Sequence, residues 1–319
     1  MKKFNDLLPE VIIRILSLCA VFVIVFIFYF VFSKAMPVLI ASGIGLITSS
    51  GFDNQLKVAF SSPNDPLFTF GMLALIVGTL LSTGISLALA TILSVGSAIV
   101  ICELAPKKLS TILTAFVRLL ASIPSVIFGL VGIMTVVPFI KRFFVNDAMV
   151  IKFLGFFQIT GTSLLASIIV LSFMIVPTVC SLCINAINSV PTDQKEVGFS
   201  FGMSHFRVIW KIMLPAARSG IIAGVILGAG RGIEEAIALS MVCGAVGFIP
   251  NITHGPAALL TPILPLSAAI INKSEAMGVA SVESALFACG AILLLMGAVL
   301  SISAKFTEKI MRRSAGHDD

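Results

Sequence analysis

Three charged side chains lie near the middle of an otherwise apolar run in the last third of the chain. The run reads GAGRGIEEAIALSMVCG and holds Arg231, Glu234 and Glu235. If this run crosses a bilayer, each charge costs about 2.5–3.5 kcal/mol at that depth, so all three must face a protein interior or a wet cavity. An arginine there offers planar, bidentate donors to an oxyanion, and a carboxylate can pair with a cation or carry a proton. The pattern indicates either a transport path or an internal ion pair.

The spacing of the three charges allows both interpretations. Arg231 and Glu235 are four residues apart, so on a helix they share a face and can pair. We predict a structural role for Glu235, that of orienting the arginine; for Arg231, substrate contact and a purely structural salt bridge both stay open. Glu234 makes the cluster net negative if all three side chains ionise, which is unfavourable for an anion path. Protonation of Glu234 and pairing with another subunit are the two hypotheses that remove this conflict.

The composition places these charges in a membrane protein. Of the 319 residues, 58% are hydrophobic and 11% are charged, far fewer than the quarter or so typical of soluble domains. Mean hydropathy is +1.12. Runs of about 20 apolar residues suit helices that cross a bilayer. We predict a single all-α membrane domain over residues 1–319 with six spans, at about 11–32, 70–100, 112–140, 161–187, 220–246 and 284–304.

The distribution of positive charge predicts the orientation. With the N-terminus inside, inner segments hold 14 of the 21 lysines and arginines and outer segments hold six, with Arg231 left inside a span. Both termini and the second and fourth connections are therefore expected in the cytoplasm. The net charge of +6 comes from these loops and tails, and no motif supports nucleic-acid binding. The outer connection 247–283, rich in proline and apolar residues, is expected to dip back or pack on the bundle.

The fourth connection, residues 189–217, contains two predicted short helices and is named here the coupling loop. The first runs to about residue 201, with Asp193 and Glu196 as an acidic capping box, and Gly202 ends it. The second covers about 205–213, before Leu214–Pro215 restarts the chain. Its apolar side chains, among them Phe206, are what the groove of a partner protein would bind.

The coupling loop resembles that of ABC importer permeases, whose pattern is E-A-A, three residues, G, nine residues, I-x-L-P. The matching positions are Glu196, Gly202, Ile212, Leu214 and Pro215. Val197 and Gly198 replace the two alanines. The resemblance implies a type I ABC importer permease-like fold with coupling helices that dock into a cleft on an ABC ATPase homodimer. His205 and Phe206 are then interface contacts, and a plain interfacial helix pair is the alternative.

A second stretch resembles the phosphate-specific permeases of the PstC type. It reads CELAPKK and then LASIPSVIFG, at residues 102–108 and 120–129. Within it, Pro124 and Ser125 are expected to kink or interrupt the third span, either beside the path or as a packing kink. The family pattern G-R-A-x-G-E-T aligns with Arg231 and Glu235, whereas Glu234 stands where the family usually has glycine.

The resemblance implies a function. The chain would translocate inorganic phosphate by alternating access across a bacterial cytoplasmic membrane, beside a second homologous, PstA-like permease. An external phosphate-binding protein would deliver the substrate. The chain has no G-x-x-x-x-G-K-[ST], so it is expected to be no enzyme and to bind no cofactor, with ATP used by the partner ATPase. No metal site is expected either, because Cys180 and Cys183 form a C-x-x-C with no further ligand pattern nearby.

Three alternatives stay open. A permease for another oxyanion would share the coupling loop. A proton-coupled secondary transporter would use Glu234 or Glu235 as the proton carrier. A membrane enzyme ranks last, because no catalytic constellation stands at a membrane interface. Separately, Gly224, Gly228 and Gly232 repeat every four residues and predict close helix packing, either within the chain or against the second permease.

Overall fold

The computed structural model describes residues 2–61, 67–146, 150–151 and 159–314 and confirms an all-α fold. Six of its helices, α1, α3, α5, α6, α8 and α11, are long and apolar enough to cross a membrane. Numbered in chain order, the described α-helices of six or more residues are α1 (Lys2–Ser42), α2 (Phe52–Ser61), α3 (Leu73–Leu104), α4 (Lys107–Ala121), α5 (Ser125–Phe144), α6 (Leu164–Asn188), α7 (Thr192–Ser200), α8 (His205–Glu234), α9 (Ile237–Val242), α10 (Leu266–Asn272) and α11 (Ala280–Ser314).

The predicted third span, residues 112–140, is interrupted at Pro124, as expected, but its bounds are displaced: the helix long enough to cross is α5, Ser125–Phe144. The chain forms α4, breaks over residues 122–124, and begins α5 at Ser125. Pro124 has φ −58° and ψ 138° and stands just before α5. Proline has no backbone N–H, and it biases the residue before it away from helical angles, so it separates two helices here. The fifth predicted span, residues 220–246, is also displaced, because α8 begins at His205 and already ends at Glu234.

A proline follows each of three wide helical turns. The spans contain π-helical turns at Val100–Leu104, Gly132–Val136 and Ile209–Met213. Each is followed two residues after its end by a proline, namely Pro106, Pro138 and Pro215. Pro106 follows the end of α3, since Ala105 is already extended. Pro138 and Pro215 lie within α5 and α8, where the proline ring would clash with the carbonyl four residues earlier in a regular α-helix, and the wider turn moves that carbonyl away. The predicted restart at Leu214–Pro215 is therefore wrong: α8 runs through it.

The glycine repeat packs inside the chain. A Cβ added at Gly228 would lie 2.6 Å from Cγ2 of Val179, and one at Gly224 would lie 3.0 Å from Cβ of Leu182, both on α6. A Cβ at Gly232 would lie 2.8 Å from Cγ2 of Thr83 on α3. The small-residue face of α8 thus contacts α6 and α3, so of the two alternatives the structure favours packing within the bundle.

Helix α6 is the most buried of the six candidate spans and α1 is the least. Helix α1 packs along α11, where the rings of Phe30 and Phe287 meet edge to face at 5.6 Å and Lys34 pairs with Glu283 at 3.0 Å. The central bundle that surrounds the charged run therefore consists of α3, α6 and α8, with α11 beside it.

The segment 247–283 enters the bundle, as its composition predicts. Leu264 and Leu266 are fully buried. The Leu266 N–H donates to Oγ1 of Thr79 on α3 at 2.9 Å, and Oγ of Ser267 donates to the Glu235 carbonyl at 2.7 Å. Its interrupted backbone is thus satisfied by protein groups, which is the condition for irregular chain inside a membrane protein.

Candidate functional site

The charged run lies where α8 ends. Glu234 is the last helical residue, and Glu235 has φ −67° and ψ 111°, an extended conformation. Arg231 and Glu235 therefore do not lie on the same face of one helix. Among the described residues, no carboxylate lies within ion-pair distance of Arg231. The predicted pair is wrong, because the helix stops before it can present both side chains together.

Arg231 has a different partner. Its guanidinium donates to Oγ1 of Thr178 on α6 at 2.6 Å, a short charge-assisted bond. Thr178 follows Pro177, which lies inside α6. Arg231 is half-buried and uses only part of its donor set on Thr178, so further N–H groups remain for a ligand.

Glu235 holds the backbone rather than the arginine. Its side chain is buried, and Oε1 accepts the N–H of Ala238 at 3.0 Å at the start of α9. Its carbonyl accepts the hydroxyl of Ser267 in the segment that enters the bundle. Glu235 therefore does not orient Arg231, which is the role predicted for it; its contacts fix the break between α8 and α9.

A cavity of about 680 Å³ lies between α6, α8 and α11, with Arg231 in its wall. Its polar lining consists of Thr178, Ser219, Arg231, Glu234, Ser301 and Lys305. Glu234 is exposed to this cavity, whereas Glu235 is not part of its lining. Within the described residues, the cavity lining therefore carries two cationic side chains against one carboxylate. The net negative cluster expected from the sequence does not occur, because Glu235 faces elsewhere and Lys305 arrives from α11.

Lys305 and Thr178 were not predicted as site residues. Lys305 stands at the end of the last apolar run, where a lysine is usually an interfacial anchor, and Thr178 is an ordinary polar residue of a span. No sequence pattern predicts that either side chain lies in the same cavity as Arg231. For Pro124 and Ser125, a place beside the path and a packing kink were both left open. Pro124 lies just before α5 and Ser125 begins it, and neither residue lines this cavity.

The coupling loop forms two helices, α7 and the first turns of α8. Helix α7 begins at Thr192, directly after Pro191, so Asp193 lies inside the helix and is not its N-cap residue. The predicted capping box is therefore wrong. Gly202 has φ +73°, a conformation that favours glycine, and it separates the two helices as predicted. Gly198, which replaces a family alanine, is buried where a Cβ would lie 2.5 Å from Cδ1 of Ile212 and 3.0 Å from Cγ2 of Val208.

The residues predicted to contact an ATPase divide into two groups. Glu196, Gly202, His205, Phe206 and Pro215 are exposed, whereas Ile212 and Leu214 are half-buried. The half-buried pair packs against the bundle, so these two side chains position the loop rather than extend from it. Five large apolar side chains of the loop are also exposed, namely Val197, Phe199, Phe201, Phe206 and Trp210. This apolar surface is the part of the loop that a groove can bind.

Comparison with known proteins agrees with this architecture. The family described as "Binding-protein-dependent transport system inner membrane component" matches residues 90–313. The chain is 32% identical to the phosphate transport system permease protein PstC of Pasteurella multocida over 254 residues, which covers 77% of each chain. It is 32% identical to PstC 1 of Mycobacterium tuberculosis over 256 residues, 77% of this chain and 74% of that one.

A solved structure shares the fold. The bacterial alginate ABC transporter, in complex with a periplasmic protein bound to an alginate pentasaccharide, contains a chain that superposes with a TM-score of 0.56 at 16% identity. The match covers 93% of this chain and 95% of that one. Together with its relatives, this places the fold among ABC importer permeases, which are transport subunits and not enzymes. The chain belongs to the family of binding-protein-dependent transport system inner membrane components and, within it, to the PstC group of permeases.

Proposed function

We propose that this chain is one of two permease subunits of an ATP-driven importer and that inorganic phosphate passes Arg231 on its way through the membrane. The observation that carries the proposal is the Arg231–Thr178 bond in the wall of a cavity of about 680 Å³. The curated relatives are named as phosphate transport permeases, and the sequence around Arg231 resembles the G-R-A-x-G-E-T pattern of that family.

The chemistry of the cavity suits an oxyanion in transit. Arg231 supplies planar donors that match two oxygens of phosphate, and Lys305 supplies a compact positive charge. Glu234 opposes them, which weakens the hold on the anion. Conduction needs binding that is favourable enough to admit the ion and weak enough to release it. The extra acid is thus compatible with transport.

The partners follow from the coupling loop and the orientation. We place the loop and both termini in the cytoplasm, where most of the chain's lysines and arginines would lie. The exposed apolar surface of the loop would dock into an ABC ATPase, one copy of a homodimer, and that ATPase alone would bind ATP. A second, PstA-like permease would complete the path, and an external binding protein would deliver phosphate at the other face of a bacterial cytoplasmic membrane.

The proposed mechanism is alternating access. Closure of the ATPase dimer on ATP would displace the coupling loop. Helix α8 would carry that movement directly to Arg231, because the second half of the loop and Arg231 belong to this one continuous helix. In the state open to the outside, hydrogen bonds from Arg231 would replace part of the hydration shell of phosphate. In the state open to the cytoplasm, phosphate would be released. Proton-coupled transport is not favoured, since its acid candidates include Glu235, which is buried in a backbone-capping role.

Uptake of labelled phosphate tests the proposal. The complete complex is reconstituted in liposomes with external binding protein and internal ATP, for wild type, Arg231→Ala and Arg231→Lys. We expect uptake to require ATP, to be lost in Arg231→Ala, and to be partly retained in Arg231→Lys, because lysine keeps the charge without the planar donors.

Two controls separate the alternatives. Excess sulfate or molybdate that abolishes uptake of phosphate would favour another oxyanion as substrate. ATP-independent uptake that follows an imposed proton gradient would favour a secondary transporter. Wild-type uptake by an assembled Arg231→Ala complex would refute the role of the arginine.

A further inference from the structure

One carboxylate outside the cavity contacts both helices of the coupling loop. Glu103 lies in the π turn that ends α3, and its side chain is only 10% exposed. Its Oε1 accepts Nζ of Lys195 on α7 at 2.7 Å. Its Oε2 lies 4.0 Å from Nε2 of His205, the first residue of α8. Both helices of the coupling loop therefore contact the side chain of Glu103.

The position of Glu103 depends on the wide turn before Pro106. The Ala105 N–H closes that turn on the Val100 carbonyl at 2.9 Å, and the proline ends the helix. The carboxylate is thus held by rigid backbone and not by a free loop. Lys195 is also largely covered, with 23% of its side chain exposed. A pair shielded from solvent in this way is screened far less by salt than a surface pair.

Helix α3 connects this ion pair to the cavity region. Thr83 lies about 20 residues before Glu103 in α3, which is about 30 Å along an α-helix. Its Oγ1 donates to the Gly232 carbonyl at 3.2 Å. Gly232 is the neighbour of Arg231 in the chain. One continuous helix therefore contacts the coupling loop at its end and, about six turns earlier, the backbone beside the arginine.

We propose that Glu103 is a positioning residue that couples movement of the loop to α3. The ion pair with Lys195 makes α3 follow α7 when the ATPase displaces the loop, and the Thr83–Gly232 contact passes the shift to the site. Without the pair, α8 alone would carry the signal, and ATP hydrolysis would proceed with less transport. The inference rests on the proposed function, since it assumes an ATP-driven partner.

The test measures phosphate transported per ATP hydrolysed in the reconstituted complex. We expect Glu103→Gln to lower this ratio by about 2- to 30-fold, the range of coupling changes caused by mutations between sites. The charge swap Glu103→Lys with Lys195→Glu should restore it. Glu10→Gln is the matched control, because it removes the carboxylate of an exposed pair with Arg14 that has no tie to the loop. It should leave the ratio unchanged.

The outcomes separate the inference from the proposed function. If the wild-type complex shows no ATP-driven phosphate uptake, the proposed function fails. If wild type transports and the assembled Glu103→Gln complex keeps its ratio, only the role of Glu103 fails. Should Glu103→Gln prevent assembly, the swap decides: a swap with the wild-type ratio supports the positioning role, and one that stays uncoupled or unassembled overturns it.

Discussion

The hydroxyl of Thr178 offers the sharpest test of how the cavity works, since it is the bonded partner of Arg231 within the described part of the chain. Thr178→Val removes the hydroxyl and keeps the shape of the side chain, whereas Thr178→Ser keeps the hydroxyl. The bond is 2.6 Å long and joins a charged donor to a neutral acceptor. Hydrogen bonds to charged groups contribute about 1.5–3 kcal/mol.

That energy sets the size of the expected effect. If all of it is needed to hold the guanidinium for transport, kcat/KM for phosphate falls by about 10- to 150-fold. Because Arg231 is half-buried, water can replace part of the lost bond, so we expect the lower end, about tenfold. Thr178→Ser should stay within about threefold of wild type, since a serine hydroxyl can accept the same bond.

The assay is the initial rate of ATP-driven phosphate uptake against substrate concentration, in proteoliposomes with equal amounts of assembled complex. Two results would refute the reasoning. One is a Thr178→Val complex with wild-type kcat/KM, which would mean that the bond does not position the arginine. The other is equal loss in the valine and serine variants, which would point to packing of α6 and not to the hydroxyl.

Three further changes test other parts of the structure. Gly228→Ala should destabilise the solubilised chain by about 1–3 kcal/mol in thermal unfolding, because its Cβ would lie 2.6 Å from Cγ2 of Val179. Gly230→Ala is the control: its Cβ meets open space, so it should be neutral or should stabilise α8 by up to about 1 kcal/mol, and equal destabilisation by both changes would contradict the packing. Phe206→Ala should weaken capture of the ATPase by at least about tenfold, because Phe206 is 70% exposed on the coupling loop. Phe173 is 63% exposed on α6, away from the loop, so Phe173→Ala should leave capture unchanged. Weaker capture in both variants would mean that the effect is nonspecific. Glu234→Gln should lower the KM for phosphate, because it removes the one carboxylate among the described residues of the cavity lining. A raised KM would mean that the acid assists binding.

Hydropathy and spacing were sufficient for the large features of this protein. A bilayer demands apolar runs of a set length, so the six spans could be predicted without any knowledge of their contacts. The spacing from Glu196 to Pro215 predicted a two-helix loop, and Gly202 does separate its helices with a positive φ. These signals are local: each depends on residues within one segment and on the solvent around it.

Helix ends inside the membrane were predicted less well, because their causes lie elsewhere in the chain. The Arg231–Glu235 pair was expected from i, i+4 spacing on an unbroken helix. The helix ends at Glu234, and the carbonyl of Glu235 is bound by Ser267, a residue 32 positions later. No pattern within the run GAGRGIEEA reports that contact.

The sequence by itself therefore determined the membrane class, the number of spans, the coupling loop and the charges that a bilayer makes costly. The tertiary structure decided what those charges do. Thr178 comes to Arg231 from 53 positions away in the chain, Lys305 joins the cavity from the last helix, and Glu235 turns to the backbone of α9. Periodicity fixes which side of one helix a residue occupies, but only helix packing brings distant helices to the same cavity and so sets the sign of its charge.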